Sequence, residues 1–200
     1  MVRVKICGIT CLEDAMAASE LGADAVGFVF ADSPRKVSVD RVGEIVRAIP
    51  PYVSTVGVFL DHPPSEVKRI REVCGLDMVQ LQGNESEEDL EEIGGRIVKA
   101  VHPETMNLSA ESYSGALLLL DSRDELGRGG TGKTLDWRAV RGMFPGRVVI
   151  LAGGLRPDNV EEAIRIVKPY AVDVCSGVES SPGKKDHGKI ESFINRAKAP

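Results

Sequence analysis

The 200-residue chain is expected to adopt an α/β fold, a single-domain (β/α)8 TIM barrel covering residues 1–200. Three observations carry that expectation. Short apolar runs of strand length recur eight times, helical patterns lie between most of them, and hydrophobic residues make up 42% of a chain whose length suits about one domain.

The runs are VRVKIC at 2–7, DAVGFVF at 24–30, STVGVFL at 54–60, MVQLQG at 78–83, RIVKAV at 96–101, GALLLLD at 115–121, VVILAGG at 148–154 and AVDVCS at 171–176. Helical spacing of apolar residues falls at Cys11–Leu21, Val39–Ile49, Ser65–Cys74, Ser86–Ile93, Pro157–Val167 and Gly188–Ala197. Thr10 and Glu13 have capping-box spacing for the first helix, Pro157 suits a first helical turn, and Asp136 reads as the cap of the helix after the sixth strand. The polar stretch HPETMNLSAESYS at 102–114 predicts a degenerate fifth helix. Strand followed by helix, repeated, gives a parallel sheet, and eight such units close it into a barrel.

Alternation along the strands says which side chains point inward. Val2, Val4 and Ile6 share one face of the first run, and Arg3, Lys5 and Cys7 share the other. In the fourth run Val79 and Leu81 oppose Gln80 and Gln82; in the eighth, Val172 and Val174 oppose Asp173 and Cys175. With the apolar sets packed on helices, Lys5, Gln80 and Asp173 lie inside the barrel one level below Cys7, Gln82 and Cys175. A buried lysine needs a counter-charge, and Asp173 is the candidate.

Barrel enzymes carry their chemistry at the C-terminal ends of the strands. Cys7 ends the first strand there, with Gly8 turning the chain away, and Asp121 ends the sixth after four leucines. A thiol and a carboxylate facing each other across one mouth make an acid and base pair. Phosphate sites in such barrels favour the loops after strands seven and eight, which here read AGGL at 152–155 and SGVESSPG at 176–183. The backbone amides of Gly153, Gly154, Ser176 and Gly177 are therefore the candidate phosphate ligands.

GRGGTGKT at 127–134 satisfies the P-loop pattern G-x-x-x-x-G-K-[ST]. Asp121 precedes its first glycine, however, Asp136 places Lys133 and Thr134 before the next helix, and VVILAGG ends in glycines where a magnesium-binding aspartate is needed. A flexible lid, with Lys133 reaching toward substrate, fits the segment better.

The net charge of -5 comes without a basic stripe, and only 4% of residues are aromatic, which argues against nucleic acid as a partner. There is no signal-like N-terminus and no apolar segment of membrane-spanning length, so the expected location is cytoplasmic, away from membranes. The cysteines at 7, 11, 74 and 175 are scattered and read as free thiols, and the three histidines have no metal-ligand spacing with them.

Taken together, VKICGIT, DSPRKV, VQLQG, LLLLDS with GGTGKTLDW, LAGGL and VDVCSGVESSPGKKD resemble the phosphoribosylanthranilate isomerase family, in order and over nearly the whole chain. The resemblance implies a cofactor-free Amadori rearrangement of N-(5'-phosphoribosyl)anthranilate in tryptophan biosynthesis, by a monomer or homodimer acting on a small phosphosugar. It further implies Cys7 as general base, Asp121 as general acid and Arg35 as partner of the anthranilate carboxylate; Gln82, Lys5 and Asp173, placed inside the barrel by strand alternation, are expected to line the substrate site. The family usually has histidine at the position of Gln82 and commonly serine at that of Cys175. A carboxamide donates a hydrogen bond but carries no proton near neutrality, so position 82 is expected to orient substrate. The chemistry asks for opposite pKa shifts: Cys7 lowered, with Lys5 as a source of positive potential, and Asp121 raised by its leucine-rich strand. A different phosphosugar barrel enzyme, which would not need Arg35, a P-loop nucleotide-binding protein and a noncatalytic phosphosugar-binding barrel are the other three readings of the same residues.

Overall fold

In the computed structural model, which describes residues 1–102, 112–122 and 135–199, eight parallel strands pair in chain order and the last returns to the first. They are β1 Arg3–Ile6, β2 Ala25–Val29, β3 Ser54–Phe59, β4 Met78–Leu81, β5 Ile97–Val101, β6 Leu117–Leu120, β7 Val149–Leu151 and β8 Ala171–Val174. The closing pair has Lys5 opposite Asp173 and Ile6 opposite Val174. Among the described residues the helices are α1 Leu12–Glu20, α2 Val39–Ala48, α3 Pro64–Cys74, α4 Glu87–Ile93, α5 Trp137–Val140, α6 Val160–Val167 and α7 His187–Lys198. After β8 the chain forms a single 3-10 turn, Ser176–Val178, and a small hairpin, β9 Glu179–Ser181 with β10 Lys184–Lys185, before α7.

Local chemistry explains most boundaries. Ser38 caps α2 through Arg41 N, and Ser86 with Asp89 forms a reciprocal capping box at α4. Asp136 accepts from the amides of Arg138 and Ala139, as its position predicts. Pro64 opens α3, and Gly75 ends it at φ 69°.

Two expected caps are absent. Cys11, not Thr10, is the N-cap residue of α1, and it makes no side-chain cap. Thr10 lies one position too early, so its hydroxyl donates instead to Gly183 O at 2.6 Å, and Glu13 falls at the second helical position rather than the third. Pro157 also lies outside its helix. It occupies a turn in which Arg156 N donates to Asn159 Oδ1, and α6 starts only at Val160. The predicted degenerate fifth helix falls largely on residues 103–111, outside the described residues; Ser112 and Tyr113 form a turn.

The alternation of the strands divides the core in two. Outward side chains such as Val4, Ile6, Phe28, Val79, Leu81, Leu118, Leu120, Val172 and Val174 merge with Ala15, Ile45, Val67, Ile70, Ile190 and Phe193 of the helices. Inside the barrel a smaller apolar cluster, Val98, Ala100, Leu119, Ile150, Ala152 and Ala171, fills the β5–β8 side. Lys5 and Gln80 occupy the opposite side of the interior, as the alternation predicts.

One outward strand residue breaks the apolar pattern. Lys99 on β5 is fully buried, and its Nζ donates to Glu85 Oε2 at 2.8 Å and Gly83 O at 2.6 Å. The other oxygen of Glu85 accepts from the amides of Asp61 and Gly83. The pair thus ties the loops after β3 and β4 to β5. Glu85→Ala removes the carboxylate that neutralises the buried Lys99 ammonium and that accepts from the amides of Asp61 and Gly83, and it should cost about 3–5 kcal/mol. A shift of the urea unfolding midpoint, at unchanged slope, measures it.

Candidate active site

The site is assembled from an ion pair upward. Lys5 Nζ donates to Asp173 Oδ1 at 2.9 Å across the closing strand pair, and both side chains are buried. Burial opposes the charge on Lys5, but Asp173 and Cys7 more than offset it and hold the ammonium above its ordinary pKa. The barrel interior therefore carries a fixed cation directly beneath the rim.

Cys7 is one level higher on the same face. Its amide donates to Val174 O at 2.8 Å, continuing the β1–β8 ladder past its last paired position. The next residue along β8 is Cys175. A hydrogen bond from the Cys175 thiol is the largest influence on Cys7; burial opposes it, and Lys5 and Lys185 assist, bringing Cys7 down to about 7. The same bond, with burial, pushes Cys175 well above the ordinary thiol value. Gly27 on β2 makes the arrangement possible: a Cβ there would stand 2.9 Å from Cys7 Sγ and 3.0 Å from Lys5 Cε.

Arg35 reaches the same region from the loop after β2, but in this structure it meets a protein carboxylate. Its Nε and Nη2 donate to the two oxygens of Glu179, each at 2.8 Å. That bond raises Arg35 above its ordinary value. Burial works against the Glu179 carboxylate, yet Arg35 and Lys185 hold it below its ordinary range. Lys185 Nζ donates to Glu179 Oε1 and to Cys175 O, each at 3.1 Å, while its amide donates to Asp14 Oδ2 at 3.0 Å. Asp14 in turn holds His187 Nε2 at 2.8 Å. The hairpin after β8 is thereby pinned to α1 on one side and to Arg35 on the other.

Asp121 follows β6 at the same end of the barrel and is buried. One of its carboxylate oxygens accepts from Ser122 N at 2.8 Å, and its carbonyl faces His102 Nδ1 at 3.1 Å. Gly153 packs against it so closely that a Cβ would lie 3.1 Å from Asp121 Oδ1 and 2.8 Å from Ser122 N. Gly153 and Gly154 both have left-handed backbones, with φ 81° and 63°. Gly177, beside Ser176 in the 3-10 turn, passes so close to the Leu155 carbonyl that a Cβ would overlap it. The glycine loops after β7 and β8 are thus packed against each other. Gln82 is half-buried just past β4, with its amide on Phe59 O at 2.9 Å. Gln80, one level below, is buried with neither end of its carboxamide hydrogen-bonded.

The sequence-predicted residues Lys5, Cys7, Arg35, Gln82, Asp121, Gly153, Gly154, Asp173, Ser176 and Gly177 all lie at the C-terminal end of the barrel or just beneath it. Lys133 and the whole of Gly127–Thr134 lie outside the described residues. Sequence reasoning missed Glu179, Lys185 and Gly27. Only Gly27 left a signal, as a glycine inside a strand pattern; the other two acquire their roles when a distant hairpin folds back over the rim.

Comparison with known proteins bears on this arrangement. The sequence model of a family described as N-(5'phosphoribosyl)anthranilate (PRA) isomerase matches residues 4–196. The N-(5'-phosphoribosyl)anthranilate isomerase of Geobacter sulfurreducens is 47% identical, with 99% of each chain covered. The crystal structure of phosphoribosyl anthranilate isomerase from Thermotoga maritima superposes with a TM-score of 0.90 at 45% identity, again over 99% of each chain. A crystal structure of a phosphoribosyl anthranilate isomerase in complex with reduced 1-(o-carboxyphenylamino)-1-deoxyribulose 5-phosphate gives a TM-score of 0.88 at 42% identity over 99% of each chain. With family match, identity and barrel in agreement over essentially the full length, the chain belongs to the N-(5'-phosphoribosyl)anthranilate isomerase family.

Proposed function

We propose that the chain isomerises N-(5'-phosphoribosyl)anthranilate to 1-(2-carboxyphenylamino)-1-deoxyribulose 5-phosphate, a step of tryptophan biosynthesis, by acid and base catalysis at this rim. The observation that carries the reading is the Cys7 thiol, brought down to about 7 above the buried Lys5–Asp173 pair, within a family whose members bear the isomerase name.

Asp121 protonates the furanose ring oxygen, and the sugar opens to a Schiff base. Cys7, as thiolate, then removes the C2' proton, and the resulting enolamine tautomerises to the ketone. A general base works best when its pKa lies near the working pH, which is what the Cys175 hydrogen bond and the Lys5 cation supply to Cys7. Arg35 receives the anthranilate carboxylate. Glu179 engages Nε and Nη2, so the Nη1 edge of the guanidinium is left for a second carboxylate, and the ion pair holds the fork in place for it. The amides of the loops after β7 and β8 receive the phosphate, where glycine lets the ligand approach the backbone. Gln82 and the buried carboxamide of Gln80 beneath it orient substrate without proton transfer. We place the enzyme in the cytoplasm as a monomer or homodimer; no helix among the described residues is long and apolar enough to cross a membrane.

The direct test is incubation with freshly prepared phosphoribosylanthranilate, following loss of its anthranilate-type fluorescence. Cys7→Ser should lower turnover by about 10²–10⁴, with substrate affinity much less affected, because the hydroxyl is a poor base near neutrality. Asp121→Asn should show the same pattern, and the double variant should be less than additive. Near wild-type turnover in Cys7→Ser would falsify the assignment of the base. Arg35→Ala should weaken binding of a carboxylated product analogue by about 1.5–3 kcal/mol, through loss of a charge-assisted contact; an unchanged inhibition constant removes Arg35 from the site. Cys7 is protonated below about pH 7 and ionised above it. Both kcat/KM and the rate of Cys7 alkylation by iodoacetamide should therefore rise with pH through a common midpoint near 7 and level off above it. An alkylation midpoint at the ordinary thiol value would show that the surroundings do not activate Cys7.

A further inference from the structure

Isomerisation transfers protons and no electrons, yet the site places two thiols side by side at neighbouring strand ends. Cys7 and Cys175 occupy successive positions past the last paired residues of β1 and β8, Ile6 opposite Val174. Adjacent strands are about 4.8 Å apart, which lies within the Cα separations that a disulfide spans. The two thiols also act on each other's ionisation: Cys175 favours the Cys7 thiolate, and Cys7 pushes Cys175 up. Both are packed over glycine: a Cβ on Gly8 would stand 2.8 Å from Cys175 Sγ, and one on Gly27 would stand 2.9 Å from Cys7 Sγ. Lys185 Nζ and Glu179 Oε1 each lie 3.9 Å from Cys175 Sγ, and Lys5 is directly beneath Cys7, so Cys7 is the member of the pair that favours a thiolate. The remaining cysteines stand apart: Cys74 is buried at the end of α3 against Val39 O, and Cys11 is the N-cap residue of α1.

We propose that Cys7 and Cys175 form a reversible modification site, a dithiol that a hydroperoxide converts to a disulfide and thereby disables the isomerase. The Cys7 thiolate attacks the O–O bond, which takes up two electrons and releases hydroxide or alkoxide, leaving a sulfenic acid on Cys7. The Cys175 thiol then displaces the sulfenic oxygen, which leaves as water, and the S–S bond forms. A thiol reductant returns both thiols. A bridge between neighbouring strands is constrained in geometry, and constrained disulfides are the readily reduced ones. The loss of activity rests on Cys7 being the base; the formation of the bridge does not.

The experiment treats the reduced full-length protein with hydrogen peroxide and reads intact mass, peptide linkage and turnover in parallel. The expected result is loss of two hydrogens, a linked peptide pair joining Cys7 to Cys175, a fall in turnover of at least roughly tenfold, and recovery of all three with dithiothreitol. In Cys175→Ser, peroxide should add oxygen at Cys7, with no loss of two hydrogens. The proposal is overturned if oxidised wild type lacks the linked pair, if the link involves Cys11 or Cys74, or if Cys175→Ser still loses two hydrogens. A Cys7–Cys175 bridge with undiminished turnover would uphold the dithiol chemistry, overturn the disabling of the enzyme, and remove Cys7 as the base.

Discussion

The buried ion pair between Lys5 and Asp173 is the constraint on which the site depends. A lone ammonium inside the barrel would be far too costly, and the pair tolerates burial because its two members sit opposite each other on the strands that close the cylinder. The same contact does two things. It joins the beginning of the chain to its end, and it fixes a positive charge under the thiol at the rim. Gly27 completes the arrangement by leaving the volume into which Lys5 and Cys7 lean. The apolar filling of the interior lies toward β5–β8.

Above that pair, the rim is organised by a chain of charges that runs through the hairpin after β8. Arg35 and Lys185 both donate to Glu179, and Lys185 continues through its amide to Asp14 and from there to His187. Except for the Glu179–Lys185 pair inside the hairpin, the links join segments remote in sequence, with Arg35 and Glu179 separated by 144 positions. A guanidinium held side-on by a carboxylate loses little freedom when a second carboxylate arrives, which is the physical advantage of preorganisation. The hairpin thus works as a brace for the substrate side of the mouth, although it forms no part of the barrel.

The thiol pair shows how one juxtaposition serves two chemistries. A hydrogen bond from Cys175 favours the thiolate of Cys7, which suits proton abstraction. The same proximity places a second sulfur where it can resolve an oxidised Cys7. An acidified, partnered thiol is useful as a base and sensitive to oxidants for a single reason, the stabilised anion.

The sequence by itself determined the barrel, because strand period and helix period are local properties and alternate along the chain. It also determined which strand faces are polar, which placed Lys5, Cys7, Gln80, Asp173 and Cys175 inside and paired Lys5 with Asp173. Resemblance of the motifs then supplied the chemistry. Helix starts were less legible, since Thr10 and Pro157 carry cap-like spacing at positions that the tertiary structure uses otherwise. Thr10 turns to the Gly183 carbonyl of a distant hairpin, and Pro157 remains in a turn braced by Asn159. Only the tertiary structure decided that Glu179 would hold Arg35, that Lys185 would bridge Glu179 to the Cys175 carbonyl, and that Glu85 would neutralise Lys99 beneath two loops. Those roles depend on which charges meet after the barrel closes. That is a matter of distances through space, and periodicity along a strand or helix carries no information about it.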